Sequence, residues 1–204
     1  MAVTARKQAM FWGIGFLLLA LTLFVIIAYK AQTAMNAASQ NAARATNEVV
    51  LEEQARRVLR QIGHAVMGSN RDSLIPVSIE PYPSEGLKYQ VNLGIQDGEV
   101  VWSDPEKVGL ELDALQVYWS RNPDTEEESR VVWTNLVTPF LEGELPNGID
   151  DNGNGLIDEQ GLNFVIDRDA VTIRLTLERR TDSGETVSKT VQTTITCRNL
   201  EPTP

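Results

Sequence analysis

The stretch FLLLALTLFVIIAYKAQTAMNAASQNAARATNEVVLEEQARRVLRQI, residues 16–62, decides the fold because it contains neither glycine nor proline. It starts apolar and ends amphipathic, and residues 9–29 carry no charge. At the helical rise, a 21-residue span reaches about 31 Å, the thickness of a bilayer's hydrocarbon core. We therefore predict a transmembrane helix at 9–29 that continues as an amphipathic helix over 30–68.

Charge is distributed unevenly along the 204 residues. The net charge of -10 argues against a nucleic-acid partner, which would require clustered Lys and Arg. A basic tail, residues 1–8, contains Arg6 and Lys7 and favours a cytoplasmic amino terminus, with the rest of the chain outside the cytoplasm. The alternative is a cleaved secretory signal, whose apolar region is usually shorter, about 7–15 residues.

Two apolar stripes follow the span at helical spacing. The first is narrow and rich in alanine, as expected for packing against the helices of other chains: Met35, Ala38, Ala42, Ala45 and Val49. The second is bulkier and suits packing on the chain's own domain: Leu51, Ala55, Val58, Leu59, Ile62, Ala65 and Val66. We expect the helix to stop at Gly68 in the left-handed conformation that glycine adopts at low cost.

Residues 69–199 are predicted to form an antiparallel β domain, followed by a disordered tail at 200–204. The candidate strands are Ile75–Ile79, Leu87–Leu93, Glu99–Trp102, Leu110–Trp119, Arg130–Val137, Asn163–Ile166, Val171–Glu178 and Thr186–Cys197. The last two alternate apolar and polar residues around the turn sequence RTDSGE, which predicts a hairpin with one dry face. Covering that face with the second stripe gives an α+β fold, a long helix packed on an antiparallel sheet.

The segment NGIDDNGNGLIDEQG, residues 147–161, has the spacing of a calcium-binding loop. Counted from Asp150, side-chain oxygens fall at positions 1, 3, 5 and 9, and a glycine falls at position 6. Hard cations take six to eight oxygens, and a tight loop supplies them from alternate residues. The predicted ligands are Asp150, Asn152, Asn154, the carbonyl of Leu156, Asp158 and Glu159.

Position 12 of this loop is Gly161 instead of the usual glutamate, so Glu159 or a water molecule must complete the shell. We expect a structural Ca²⁺ of modest affinity, about 10⁻⁴ to 10⁻³ M, with Ile157 pointing inward to fix the loop to the core. The alternative is a metal-free turn, since Asn and Gly are also common turn residues.

No sequence motif for catalysis is present, and we predict no enzymatic activity and no small-molecule substrate. Cys197 is the only cysteine, which excludes an internal disulfide, and its place in an alternating strand favours a buried core residue over a reactive thiol.

A basic tail, an apolar helix that becomes amphipathic, and an antiparallel domain ending in TTITCRN together resemble the type IV pilin superfamily, particularly its minor pilins and pseudopilins. The resemblance implies a bacterial inner-membrane subunit of a type IV pilus or type II secretion-like assembly, with its domain in the periplasm or outside the cell. Its partners would be other pilin-like subunits, bound through the amino-terminal helix. Gly15 and Phe16 stand where the family is cleaved, but Leu-Leu-Leu-Ala follows and the family's glutamate is absent. The alternative is a monomeric anchored domain that binds a ligand or protein partner without polymerising.

Overall fold

The computed structural model of the chain describes residues 2–181 and 184–197, and the side chains from Leu17 onward. A single helix, α1, runs from Ala2 to Gly68 and includes the whole segment predicted to be helical. The chain divides into two compact units, Met1–Ala45 and Thr46–Pro204, and the boundary lies within α1. The predicted tail at 200–204 lies outside the described residues.

The first unit consists of the amino-terminal part of α1. Every residue from Leu17 to Ala45 is exposed, including the large apolar side chains. This part of α1 contains an 18-residue window with a mean hydropathy of 1.8. The helix therefore has the length and the composition needed to cross a membrane.

The described residues of the second unit form nine strands in three antiparallel sheets, which confirms the α+β class. A four-stranded sheet has the order β1-β4-β5-β6, β2 and β3 form a separate hairpin, and a three-stranded sheet has the order β7-β8-β9. The strands are β1 Gly86–Tyr89, β2 Asn92–Gln96, β3 Glu99–Trp102, β4 Glu106–Glu111, β5 Gln116–Arg121, β6 Ser129–Thr134, β7 Leu162–Asp167, β8 Ala170–Arg180 and β9 Thr186–Thr196. Ser84 and Phe164 join the two larger sheets by paired backbone hydrogen bonds of 2.9 and 2.7 Å.

The core lies between the carboxy-terminal part of α1 and the sheets. The second helix stripe packs on the domain as predicted: apart from Ala65, which is partly buried, its residues are buried and belong to one apolar cluster with the inner faces of β7, β8 and β9. Helix and sheet approach closely at Gly63, where an added Cβ would lie 2.7 Å from Cδ1 of Ile195. The predicted helix-on-sheet packing is confirmed within this unit.

The helix ends at Gly68, but not for the expected reason. Gly68 does not adopt a left-handed conformation. Instead, an added Cβ would lie 2.9 Å from Cγ1 of Val91, so a side chain here would collide with the β domain. The Ser69 N–H and hydroxyl then both bond to the carbonyl of Val66, at 3.2 and 2.8 Å, and close the last turn.

Three strand predictions were wrong in their extent. The segment Ile75–Ile79 is irregular because Pro76 has no N–H to give to a ladder, and only isolated bridges form there. The predicted strand Leu87–Leu93 is two strands, β1 and β2. The predicted strand Leu110–Trp119 is the hairpin of β4 and β5, whose turn is closed by the Leu115 N–H on the carbonyl of Leu112 at 3.3 Å.

The predicted carboxy-terminal hairpin is confirmed, with β8 and β9 paired along their full lengths. Its apolar face is dry, since the side chains of Val171, Ile173, Leu175 and Leu177 are fully buried. The opposite face is only partly solvated, because Thr176 is buried there too. Residues 136–138 pair with the edge of β8 beyond β7: Val137 bridges Leu177, and the Thr138 N–H bonds to the Thr176 carbonyl at 3.2 Å.

Candidate metal site

The acidic loop lies between β6 and β7, and its two ends are tied together. Phe140 and Gln160 form an antiparallel bridge. Beside it, the Leu141 N–H bonds to the carbonyl of Glu159 at 2.9 Å. The loop is therefore closed at its base by backbone hydrogen bonds.

Asp150, the first predicted ligand, organises the turn. Its carboxylate accepts the N–H groups of Gly153 at 2.7 Å, Asn154 at 3.1 Å and Gly155 at 2.7 Å. Both glycines have positive φ, +75° and +89°, which allows the chain to wrap around the carboxylate. These donors, that of Gly155 above all, hold the pKa of Asp150 below its usual range. The carboxylate therefore stays ionised, and the one lone-pair site left, on Oδ2, is available to a cation.

The side chains of Asn152 and Asn154, at positions 3 and 5, both bond to the carboxylate of Glu159. Their Oδ1 atoms accept backbone N–H groups two residues ahead, Asn154 at 3.1 Å and Leu156 at 2.9 Å. Their Nδ2 groups donate to Oε2 of Glu159, at 3.1 Å from Asn152 and 2.5 Å from Asn154. The structure thus gathers Asn152, Asn154 and Glu159 into one cluster.

Asp158 lies at the other edge of the loop. Its Oδ1 accepts the N–H groups of Asn147 at 3.0 Å and Gly148 at 2.9 Å, so it holds the start of the 147–161 segment against its end. Asp151, which was not predicted as a ligand, accepts Nδ2 of Asn147 at 2.8 Å. The loop is thus held by its own hydrogen bonds, and the carboxylates of Asp150 and Asp158 point toward backbone N–H groups.

Leu156 is the buried apolar residue of the loop, and the expectation that Ile157 points inward was wrong. Leu156 is buried, whereas Ile157 is only partly so and its N–H bonds to the carbonyl of Pro81 at 2.9 Å. The Leu156 carbonyl remains at loop position 7, as the prediction required.

Glu159 is the most buried acid of the loop, with no exposed surface. Its Oε1 accepts Nη1 of Arg174 at 2.9 Å and Nδ2 of Asn163 at 3.3 Å. The alternation of β8 correctly placed Arg174 on the face opposite the apolar core. It did not show that the acidic loop covers this face, so the ion pair was missed.

Glu144 is the second residue that sequence reasoning missed. It is only 5% exposed, and its Oε1 accepts the N–H of Asn152, loop position 3, at 3.1 Å. Burial raises the pKa of the Glu144 carboxyl, and the nearby carboxylates of Glu159, Asp151 and Asp150 raise it further. No spacing rule connects Glu144 to the motif, because it joins the loop only through the folded turn at 141–144.

The oxygen chemistry of the loop fits a hard cation. Five acidic residues fall between 144 and 159, and residues 140–167 contain no Lys, Arg or His. Among the described residues, the buried side-chain polar atoms without a hydrogen-bond partner include three oxygens in or beside this loop: Glu144 Oε2, Gln160 Oε1 and Asn163 Oδ1. Unpartnered acceptors in an acid-rich pocket are what a divalent cation would satisfy.

The carboxylates are not, however, converged on one point. In the described ranges 2–181 and 184–197, no three His, Cys, Asp or Glu side chains are arranged to hold a metal ion. The hydrogen bonds above explain this, since Asp150 and Asp158 face backbone donors while Glu159 faces Arg174 and three side-chain amides. To bind an ion beside Glu159, Asn152 and Asn154 would have to rotate their amides so that Oδ1, and not Nδ2, faces the Glu159 carboxylate.

The predicted helix-assembly face lies on the exposed surface of α1. All five of its residues are exposed: Met35, Ala38, Ala42, Ala45 and Val49. The first four belong to the first unit, and Val49 belongs to the second. The change from exposed to buried helix residues occurs at Leu51, which is fully buried.

Comparison with known proteins adds no assignment to these observations. No family model, curated protein or solved structure matches the chain.

Proposed function

We propose that the chain is a non-enzymatic, membrane-anchored, pilin-like subunit of a type IV pilus or type II secretion-like assembly. Its amino terminus would lie in the cytoplasm of a bacterial cell, its helix in the inner membrane, and its β domain in the periplasm or beyond. The partners would be other pilin-like subunits, held through α1.

The observation that carries this proposal is the division of α1 into an exposed part and a buried part. Residues 17–45 are exposed along the whole circumference of the helix, whereas Leu51, Ala55, Val58 and Ile62 are buried against the chain's own sheets. A lipid bilayer accounts for apolar residues only over the length of a span, up to about Tyr29. The exposed alanine-lined face that follows lies beyond the span, so lipid does not account for it.

Small side chains favour close approach of two helices. Ala38, Ala42 and Ala45 recur at spacings of four and three, so their Cβ atoms share one face of α1. Gln40 lies on nearly the opposite face, since two residues turn the helix by about 200°. This asymmetry supports a side-specific contact.

Site-specific photocrosslinking in the producing cells tests the assembly. A benzophenone amino acid at Ala38 is expected to form adducts whose linked peptide comes from the membrane-proximal helix of another single-span subunit. The matched control is the same probe at Gln40, which should yield far less of the adduct. Only uncrosslinked chain at both positions would overturn assembly and favour the alternative, an anchored domain that binds its partner without polymerising.

The second part of the proposal is that the 147–161 loop binds a structural Ca²⁺. The predicted ligands are Asp150, Asn152, Asn154, the Leu156 carbonyl, Asp158 and Glu159. The observation that supports it is the group of unpartnered buried oxygens in an acid-rich loop without a basic residue of its own. Calcium would offset the mutual repulsion of the carboxylates and order the connection between β6 and β7.

Thermal unfolding of the full chain in detergent, with and without 10 mM calcium, tests this role. At the expected affinity, binding stabilises the fold by about 1.4–2.7 kcal/mol, a rise in Tm of roughly 3–10 °C. Asp150→Ala should abolish the rise, and Asp113→Ala, in the exposed β4–β5 turn, should keep it. An unchanged Tm in the native chain, or a rise that survives Asp150→Ala, would remove the calcium site.

A further inference from the structure

The twelfth position of the loop cannot carry a ligand side chain. A Cβ added to Gly161 would lie 2.8 Å from the backbone carbon and 2.9 Å from Oγ1 of Thr138, and closer still to the Thr138 carbonyl oxygen. The Gly161 N–H and carbonyl are also committed to the sheet, bonded to Pro139 O at 3.0 Å and Thr176 N at 2.8 Å. The glutamate usual at this position is therefore sterically excluded.

Glu159 alone is a poor substitute for that glutamate. One of its oxygens receives Arg174 and Asn163, and the other receives the amides of Asn152 and Asn154. The guanidinium already balances its charge, so Glu159 adds little net attraction for a cation. The loop needs a second buried carboxylate whose charge is not balanced.

Glu144 meets that requirement. Its carboxylate is nine-tenths or more buried, and its Oε1 bonds to the backbone of Asn152 at the centre of the motif. Its Oε2 has no hydrogen-bond partner, an uncommon and costly state for a buried acceptor. The turn that holds it is fixed by the Glu144 N–H on the Leu141 carbonyl at 3.0 Å, and Leu141 is bonded to the backbone of Glu159.

We propose that Glu144 is a ligand of the calcium ion, supplying through Oε2 the carboxylate that the loop lacks at its twelfth position; this inference rests on the proposed calcium-binding role of the 147–161 segment. The metal shell is then built from two stretches of chain, the motif itself and the 141–144 turn. Bound calcium would tie the turn that follows β6 to the segment that precedes β7.

The electrostatics of the site agree with this assignment. The carboxylates of Glu159 and Asp151 lie near that of Glu144, and like charges in a buried site repel one another. A divalent cation offsets this repulsion because it interacts favourably with every carboxylate around it.

Calcium titration of the full chain in detergent, followed by calorimetry, tests the role of Glu144. Glu144→Gln keeps the size of the side chain and an oxygen to accept the Asn152 N–H, but it removes the negative charge. Because calcium affinity follows the number of charged ligands, we expect Kd to rise about tenfold or more. The matched control is Glu142→Gln, an exposed acid two residues earlier, which should leave Kd within twofold of the native value.

A purely structural role would give a different result. It predicts a lower Tm for Glu144→Gln in chelator and an unchanged Kd, whereas the ligand role predicts a chelator Tm at or above that of the native chain. Glu144→Asp, which retracts the carboxylate by one methylene, provides a second variant that should also weaken binding. Native-like calcium affinity in both variants would overturn the inference and leave the calcium loop standing; an absence of calcium binding by the native chain would overturn both.

Discussion

Nη1 of Arg174, on β8, lies 2.9 Å from Oε1 of Glu159, at the end of the acidic loop. The Glu159 carboxylate is completely buried and the Arg174 side chain is 17% exposed. Arg174 also donates Nε to Gln192 on β9 at 2.8 Å. One guanidinium therefore links the loop to two strands of the carboxy-terminal sheet.

Removing the guanidinium should destabilise the domain strongly. Arg174→Met leaves a buried carboxylate without its cation, and losing one partner of a buried pair costs about 3–5 kcal/mol. Urea unfolding measures the change, and Arg179→Met, at an exposed position of the same strand, should cost under about 0.5 kcal/mol. In the double variant Arg174→Met/Glu159→Gln the loss should be smaller than the sum of the single losses, and strict additivity would show that the two side chains are not coupled.

The two stripes of α1 should differ in what they contribute to folding. Ile62→Ala removes a fully buried side chain between helix and sheet and should cost about 2–5 kcal/mol in urea unfolding. Val49→Ala, at a position that is 65% exposed, should change stability by less than about 0.5 kcal/mol. Equal losses at the two positions would contradict the boundary that we place at Leu51.

Gly161→Ala should be severely destabilising, because its Cβ meets backbone atoms of Thr138 that cannot rotate away. Overpacking of this kind costs about 1–3 kcal/mol or more, and thermal unfolding would detect it. Gly63→Ala is the matched comparison, because the added Cβ meets only the flexible end of the Ile195 side chain. Alanine also has a helix propensity about 1 kcal/mol more favourable than that of glycine. If the two variants melted together, the contact with Thr138 would not be limiting.

Cys197 should react slowly with thiol reagents in the folded chain. The residue is 3% exposed, and burial raises the pKa of its thiol, so both access and thiolate fraction are low. Labelling by a maleimide at pH 7.5 should be slow in native buffer and fast in concentrated urea. Rapid labelling of the native chain would show that the end of β9 opens readily.

The sequence predicted the parts of the fold that depend on periodicity. Spacings of three and four in α1 identified the residues that are buried on the sheets, beginning with Leu51. The period of two in β8 separated Val171 and Ile173 from Arg174. Such spacings can be recognised in the sequence because a buried face places an apolar residue at every repeat along a long element.

The strand predictions that were wrong fell where a single residue or a turn, and not a repeating pattern, decides the structure. Pro76 interrupted an apolar segment that looked like a strand. The turn at Leu112–Leu115 divided an apparently continuous strand into two, because its residues do not include the glycine or proline that usually marks a turn.

For the candidate site, loop spacing identified Asp150, Asn152, Asn154 and Glu159, and the last three do meet. Glu144 and Arg174 could not be found in this way, since they approach the loop only through the bridge at its base and the register of β8. Contacts between residues that are distant in sequence leave no local pattern.

The close packing of α1 on the sheets also determines how the domain would respond to force. The buried helix residues extend from Leu51 to Val66, a length of about four turns, in one continuous apolar cluster. A force along the helix axis would act on all of these contacts at the same time, in shear, and would not break them one after another. Densely packed interiors have low compressibility and transmit such strain. The helix–sheet packing should therefore resist force applied along the axis of α1.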